Sequence, residues 1–134
     1  MKKKSIFEMD LQNKRVIVRA DLNVPINNNK ITDETRIKRF TKGIHKVLHK
    51  GAKLIILTHL GRPKGIFNHN LSTRVLVESL ERNLNQTVVF SGGCVDKTTI
   101  EKSRTLKNNQ VLLCENLRFH NEEVENSSGF AKKL

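Results

Sequence analysis

Short runs of apolar residues, each followed by polar and charged residues, recur along the chain. The clearest lie at residues 15–19, 53–58 and 110–114, with a shorter one at 87–90. Residues 54–57 are four apolar residues without alternation, which is typical of a strand covered on both faces in a parallel sheet. Each run has the length of a strand, so the pattern predicts four strands.

Between these strands the apolar residues recur every three or four positions, the period of a helix. The longest stripe is formed by Ile37, Phe40, Ile44, Val47 and Leu48. We expect its helix to begin at a cap on Thr32 or Asp33 and to end near Lys50, before Gly51. Residues 26–30 form a polar turn that separates this helix from the first strand.

A second helix is predicted for residues 73–84, with Leu76, Leu80 and Leu84 on its packed face. A short, weak helix is expected at 96–106, and residues 127–134 read as the beginning of another helix. Alternating strands and helices predict an α/β fold, with a parallel sheet flanked by helices. Right-handed crossovers would place all carboxyl ends of the strands on one rim, where open α/β sheets bind ligands.

The residues just after the strands suit the binding of an anion. Asp21 and Asn23 follow the first strand and can hold hydroxyl groups, while Arg118 follows the last. The second strand ends in the loop 58–63, which contains His59, Gly61 and Arg62. Glycine permits close backbone approach, and arginine offers a planar fork of donors that matches phosphate or carboxylate.

The net charge of +12 also favours anionic partners. Nucleic acid is disfavoured because Trp and Tyr are absent, the six Phe do not interleave with basic runs, and no nucleic-acid-binding signature is present. No run of residues has the length of a membrane span. Acids follow the basic start at Met1, where a secretory signal needs apolar residues, and two cysteines without a CxxC motif suit the cytoplasm.

Four segments in order, RADLNVP at 19–25, ITDETRI at 31–37, THLGRP at 58–63 and LLCENLRFH at 112–120, resemble the amino-terminal domain of phosphoglycerate kinase. The resemblance is collinear and covers nearly the whole chain. Ala20 and Leu22 replace residues common in the family at packing positions, and Thr58 replaces serine. Departures at 71–74 and 92–96 concern a helix start and a loop, and leave the matched ligand positions intact.

The resemblance implies a Rossmann-like parallel sheet and a substrate, 3-phosphoglycerate, bound at its rim. His59, Arg62 and Arg118 match positions that hold its phosphate, together with the Leu60–Gly61 backbone of the same motif. Asp21 and Asn23 match positions at its hydroxyl and carboxylate region. Arg36 matches the catalytic arginine beside the reacting carboxylate, where it stabilises charge during phosphoryl transfer.

The resemblance also implies a two-domain kinase, of which 134 residues are about a third, a length that suits one domain at most. Residues 1–134 are then a partial 3-phosphoglycerate-binding domain. The domain that binds ATP or ADP with magnesium is absent, and no residue here is expected to bind nucleotide or metal. We expect no activity from the fragment alone, and a complete enzyme that is a cytoplasmic monomer without membrane or nucleic-acid partners.

Alternatives remain at this point: a truncated, non-catalytic anion-binding remnant, or a basic nucleic-acid-binding module. Several chemistry-bearing residues are better interpreted structurally. Glu115 and Asn116 are expected to brace the loop that carries Arg118, and His120 is expected to be structural. His45 and His49 lie four apart on a helix, which favours an exposed pair over a metal site.

Overall fold

The computed structural model describes residues 3–134, so part of the basic start, Met1 and Lys2, lies outside the described residues. The strands are β1 (Arg15–Arg19), β2 (Ile26–Asn27), β3 (Lys30–Ile31), β4 (Lys53–Leu57), β5 (Val88–Phe90) and β6 (Val111–Leu113). The α-helices are α1 (Thr35–His49), α2 (Val77–Leu84), α3 (Lys97–Thr105), α4 (Asn121–Val124) and α5 (Ser128–Lys133).

Four strands form one parallel sheet in the order β1-β4-β6-β5, and β2 and β3 form a separate antiparallel hairpin. In the sheet Ile17 pairs with Ile55, and Ile55 pairs with Leu112. The predicted α/β class, with a parallel sheet flanked by helices, is confirmed. Since all four strands run the same way, the segments that follow β1, β4 and β6 emerge at one edge, here called the rim.

Each face of the sheet packs against its own hydrophobic core. The larger core joins Leu54, Ile56 and Val111 to α1 and α2. Neighbouring residues of the same strands, such as Ile55 and Leu112, point the other way and pack in a second core. This alternation explains why residues 54–57 are all apolar, since both faces of β4 are buried.

Helix α1 confirms the prediction from its apolar stripe, because Ile37, Ile44, Val47 and Leu48 are buried. The predicted cap on Thr32 or Asp33 is wrong, because the N-cap is Glu34, whose side chain makes no capping hydrogen bond. Asp33 instead fixes the turn before the helix, since its Oδ1 accepts hydrogen bonds from the Thr35 backbone N–H (2.8 Å) and the Thr35 hydroxyl (2.6 Å). These bonds, with the hydroxyl the larger cause, lower the pKa of Asp33.

The structure differs from the predicted elements at the start of α2, at α4 and at residues 26–31, where the β2–β3 hairpin takes the place of a plain polar turn. Residues 73–84 begin as a 3-10 helix, Thr73–Leu76, and become α-helical only at Val77. The beginning is set by side chains, since Ser72 accepts from the Arg74 backbone N–H and Glu115 accepts from the Thr73 backbone N–H. The short helix α4 has no apolar period of its own, and the sequence pattern did not predict it.

No helix within residues 3–134 is both long and apolar enough to cross a membrane.

Candidate functional site

The rim is held together by Thr58, the residue that follows β4. Its hydroxyl accepts a hydrogen bond from the Leu22 backbone N–H (3.2 Å), and its carbonyl accepts one from the Leu117 backbone N–H (3.1 Å). Thr58 is fully buried. One residue therefore fixes the segment after β4 to the segments after β1 and β6, which carry the other predicted ligands.

Asn23 and Gly61, both predicted to contact substrate, bind one another. The Gly61 backbone N–H donates to Asn23 Oδ1 (3.0 Å). The side-chain oxygen of Asn23 is thus used within the protein, and its side-chain nitrogen Nδ2 is the group that can donate to a ligand. Gly61 has φ +57°, and a Cβ there would lie 2.8 Å from Leu71 Cδ2. The loop after β4 therefore needs glycine at this position.

Leu60, another predicted substrate contact in the loop after β4, is buried, with 1% of its surface exposed. Its carbonyl already accepts a hydrogen bond from Asn116 Nδ2 (2.8 Å). Its side chain therefore anchors the loop in the core, and Leu60 can meet a ligand only through its backbone.

Asp21 and Arg36 form an ion pair at the surface of the rim. Arg36 Nη1 donates to both carboxylate oxygens of Asp21, at 2.8 and 2.9 Å. The two side chains are 52% and 67% exposed, so solvent or a ligand can reach both. Arg36 lies in the first turn of α1, where the unpaired backbone N–H groups add partial positive charge.

Arg62 and Arg118 line a second part of the rim, a cleft of about 660 Å³. Arg19 and Lys64 line the same cleft, so four cationic side chains face one space. Arg62 has no carboxylate partner within residues 3–134. Glu123 and Glu125 also line the cleft, which keeps a net positive charge and so suits a compact anion such as a phosphate.

Glu123, from α4, lies against this basic cleft. It pairs with Arg19 Nη2 through Oε1 and with Arg118 Nε through Oε2 (3.3 Å). The Glu123 side chain is only 6% exposed, whereas Arg19 and Arg118 are 59% and 30% exposed. The carboxylate thus lies on the protein side of the two guanidinium groups.

His59 is electrostatically coupled to both parts of the rim. Burial lowers its pKa, and the positive charge of Arg118 lowers it further. Glu123 and Asp21 act in the opposite direction but more weakly than burial. His59 is therefore neutral at pH 7 in the free protein, and an anion bound nearby would favour its protonation.

Asn116 braces the loop that carries Arg118, as the sequence predicted, whereas Glu115 accepts hydrogen bonds from Ser72 and Thr73 and so fixes the start of the helix there. Asn116 is fully buried, and its Nδ2 donates to the carbonyls of Leu60 and Leu71, both at 2.8 Å. Its Oδ1 accepts from the Arg118 backbone N–H (3.0 Å). One amide therefore couples the loop that carries Arg62 to the turn that carries Arg118.

Gly65 docks the far end of the same loop onto the Arg118 segment. Its N–H donates to the Arg118 carbonyl (3.1 Å), and its φ is +73°. A Cβ at this position would overlap the Asn121 side chain. The approach of the two segments therefore requires glycine.

The remaining residues singled out in the sequence do not line the cleft or join the Asp21–Arg36 pair. His45 and His49 are exposed, with ring centroids 4.1 Å apart, and His120 packs on Phe130 at 4.9 Å. The part of the chain from residue 3 onward contains no group of three or more metal-ligating side chains. Cys94 and Cys114 are buried, unpaired thiols.

Sequence reasoning missed Arg19, Lys64 and Glu123 as residues of the site. Arg19 ends β1 on the rim, and that position was a usable signal. Lys64 follows the predicted loop directly. Glu123 gave no signal, because its relation to Arg19 exists only after α4 folds back across more than a hundred residues of sequence.

Comparisons with known proteins identify the family of the chain. The family model for phosphoglycerate kinase matches residues 6–134. The chain is 39% identical to phosphoglycerate kinase of Chlorobium limicola over 135 aligned residues, and 43% identical to that of Koribacter versatilis over 141. These alignments cover 100% of this chain but 34% and 35% of the two relatives.

Solved structures give the same result. Phosphoglycerate kinase from Coxiella burnetii superposes with a TM-score of 0.77 at 36% identity, covering 94% of this chain and 31% of that one. The enzyme from Pyrococcus horikoshii gives 0.80 at 33% identity, covering 87% and 28%. The chain spans about a third of the length of the relatives it matches. It belongs to the phosphoglycerate kinase family.

Proposed function

We propose that this chain supplies the 3-phosphoglycerate side of phosphoglycerate kinase, which transfers a phosphoryl group reversibly between 1,3-bisphosphoglycerate and ADP. The observation that carries the proposal is the shared rim, where the Asp21–Arg36 pair and the cleft of Arg62 and Arg118 flank the loop of His59. One end of this site suits a phosphate, and the other offers a carboxylate and an arginine to a hydroxy acid.

In this proposal Arg62, Arg118 and His59 hold the substrate phosphate at the cleft. Asp21 and the free amide nitrogen of Asn23 orient the hydroxyl and carboxylate region. The loop 60–63 shapes the approach, with Leu60 and Gly61 contributing backbone. Such fixed placement matters because phosphoryl transfer depends mainly on positioning and charge neutralisation.

Arg36 acts as the catalytic arginine beside the reacting carboxylate. In the free protein Asp21 holds it through a single nitrogen, Nη1. Because the pair is exposed, little free energy opposes a new arrangement of Arg36 around a bound substrate. A guanidinium in this position stabilises the charge that develops on the transferred group.

Magnesium and nucleotide, which the family's reaction requires, are expected to bind outside residues 1–134. For the metal ion this expectation is supported by the cationic side chains of the cleft, which repel a divalent cation. Magnesium, when bound with nucleotide, supplies neutralisation of phosphate charge. We therefore expect the chain alone to bind substrate weakly, in the millimolar range, and to transfer no phosphoryl group.

The test is an NMR titration of the ¹⁵N-labelled chain with 3-phosphoglycerate. We expect shifts at the backbone of residues 59–62 and 118, and loss of binding in Arg36→Ala and Arg62→Ala. Arg104→Ala is the control, because Arg104 is exposed and lies near the end of α3, on the side of the sheet where β6 begins, opposite the rim.

Inorganic sulfate and a short oligonucleotide serve as competing ligands. Preferential binding of the oligonucleotide would favour the nucleic-acid-binding module, and binding of sulfate as tight as 3-phosphoglycerate would favour a non-specific anion-binding remnant. Micromolar affinity for 3-phosphoglycerate that disappears in Arg36→Ala would show the expectation of weak binding wrong.

A further inference from the structure

The carboxylate of Glu123 occupies an unusual place in a cleft suited to anions. It is nearly buried, it contacts two of the cationic side chains, and it belongs to a helix of four residues that the sequence pattern did not predict. A negative charge next to a phosphate site opposes phosphate binding by simple repulsion. Its effect on the arginines must therefore be weighed against this repulsion.

Glu123 can either repel a bound phosphate or orient Arg118 toward it, and the atoms that make the Glu123–Arg118 contact favour orientation. Glu123 accepts from Nε, the inner nitrogen of the guanidinium. No partner within residues 3–134 accepts from the terminal nitrogens Nη1 and Nη2, which remain available to a second anion. Guanidinium groups bind carboxylate and phosphate through pairs of parallel N–H donors, so orientation of this fork governs how well it can bind.

Charge repulsion within the cleft gives a reason for a contact that orients the arginines. Arg19, Arg62, Lys64 and Arg118 repel each other, and flexible side chains under mutual repulsion spread into solvent. A buried carboxylate with one oxygen on Arg19 and the other on Arg118 offsets part of this repulsion. It also reduces the side-chain entropy that substrate binding would otherwise have to remove.

We propose that Glu123 is a positioning residue of the anion site, which holds Arg19 and Arg118 on the wall of the cleft and directs the terminal fork of Arg118 toward the substrate phosphate. This inference rests on the proposed function for the identity of the anion. Beyond the proposed function, it assigns the fixed orientation of Arg19 and Arg118 to one acidic residue, Glu123. The orientation of Arg118 can be measured without any ligand.

Glu125 provides a matched control for charge. It lines the same cleft, yet it makes no ion pair within residues 3–134. Glu123→Gln and Glu125→Gln therefore remove the same charge from the same cleft. Only Glu123→Gln also replaces one of the two oxygens that accept from Arg19 and Arg118 by an NH2 group, which cannot accept, and leaves the other without its charge. If repulsion dominates, both variants bind anion more tightly; if positioning dominates, Glu123→Gln alone binds more weakly.

The experiment compares the whole chain with both variants by NMR. Without ligand, we expect the Arg118 Nε–H signal to broaden through exchange with water in Glu123→Gln and to be unchanged in Glu125→Gln. With 3-phosphoglycerate, we expect binding about tenfold weaker in Glu123→Gln, the effect of losing one charge-assisted contact, and equal or tighter binding in Glu125→Gln.

Equal Nε–H signals in the two variants, or binding by Glu123→Gln as tight as by Glu125→Gln, would overturn the proposal. If the parent chain itself binds no 3-phosphoglycerate, the proposed function fails, while the Nε–H comparison still decides the role of Glu123. Should Glu123→Gln not fold, Glu123→Asp retains the charge with a shorter reach. The proposal then predicts a broadened Arg118 Nε–H signal in that variant, and a sharp signal would contradict it.

Discussion

Replacement of Asn116 by alanine tests how the two loops of the anion site are joined. The Asn116 side chain is fully buried and makes three hydrogen bonds, to the carbonyls of Leu60 and Leu71 and from the Arg118 backbone N–H. Alanine leaves these three backbone groups without that partner in the interior. At a net value of about 1–1.5 kcal/mol for each bond, we expect the free energy of unfolding to fall by about 3–5 kcal/mol.

Asn68 offers a matched control, since it is also an asparagine that caps a 3-10 turn. Its Oδ1 accepts from the Asn70 backbone N–H (3.0 Å), but the side chain is exposed and makes no other bond within residues 3–134. Asn68→Ala should therefore cost about 1 kcal/mol, the usual value of an exposed cap. The difference between the variants isolates the two donations that link the loops.

The assay is urea unfolding followed by circular dichroism, with the three proteins measured at the same temperature. The dependence of the free energy on urea should be unchanged, because the same surface is exposed on unfolding. If Asn116→Ala lies within about 1 kcal/mol of Asn68→Ala, the bracing contacts carry no net stability and the reasoning is refuted.

Three further predictions concern other parts of the fold. Gly65→Ala should destabilise the chain by about 1–2 kcal/mol, because φ is positive and the exposed Asn121 side chain must move away from the new Cβ, whereas Gly43→Ala, in open space on α1, should stabilise it by about 0.5–1 kcal/mol in the same urea assay. Burial raises the pKa of Cys114 to about 11 and raises that of Cys94 also, so both thiols should react with a thiolate-specific reagent only at the rate of unfolding; rapid reaction of the native chain at pH 7 would contradict this. The lowered pKa of His59 means that protonation of His59 disfavours the folded state, so the free energy of unfolding should decrease as the pH falls from the ordinary histidine range through the folded pKa. Phosphate should shift the NMR-detected pKa of His59 upward. No shift at saturating phosphate would place the anion away from His59.

Much of the architecture followed from local patterns. The apolar run at 54–57 predicted a strand buried on both faces, and the stripe from Ile37 to Leu48 predicted α1, because periodicity records which side of an element meets the core. The ends were less certain: β6 is confined to Val111–Leu113, and the helix expected from residue 73 begins as a 3-10 turn. Side chains decided the start of that helix, and one of them, Glu115, is distant in sequence.

In the candidate site, too, some features were predictable from the sequence and others depended on how the loops pack. Asp21, Arg62 and Arg118 were predictable, because parallel strands bring the residues after their carboxyl ends to one rim whatever the details of packing. The hydrogen bond of Asn23 with Gly61, the burial of Leu60 and the position of His59 near both ends of the site were not. Each depends on which groups become partners when the loops pack.

The sequence by itself determined the fold class, the family and the chemical character of the rim, since periodicity, charge and four collinear segments are properties of the chain read in order. Only the tertiary structure decided that Arg19 joins the cleft, that Asn116 couples two loops, and that Glu123 lies behind Arg19 and Arg118. The physical reason is that a short α4 without a periodic signal reaches the rim through contacts between residues far apart in sequence. Such contacts form only when the whole sheet is assembled.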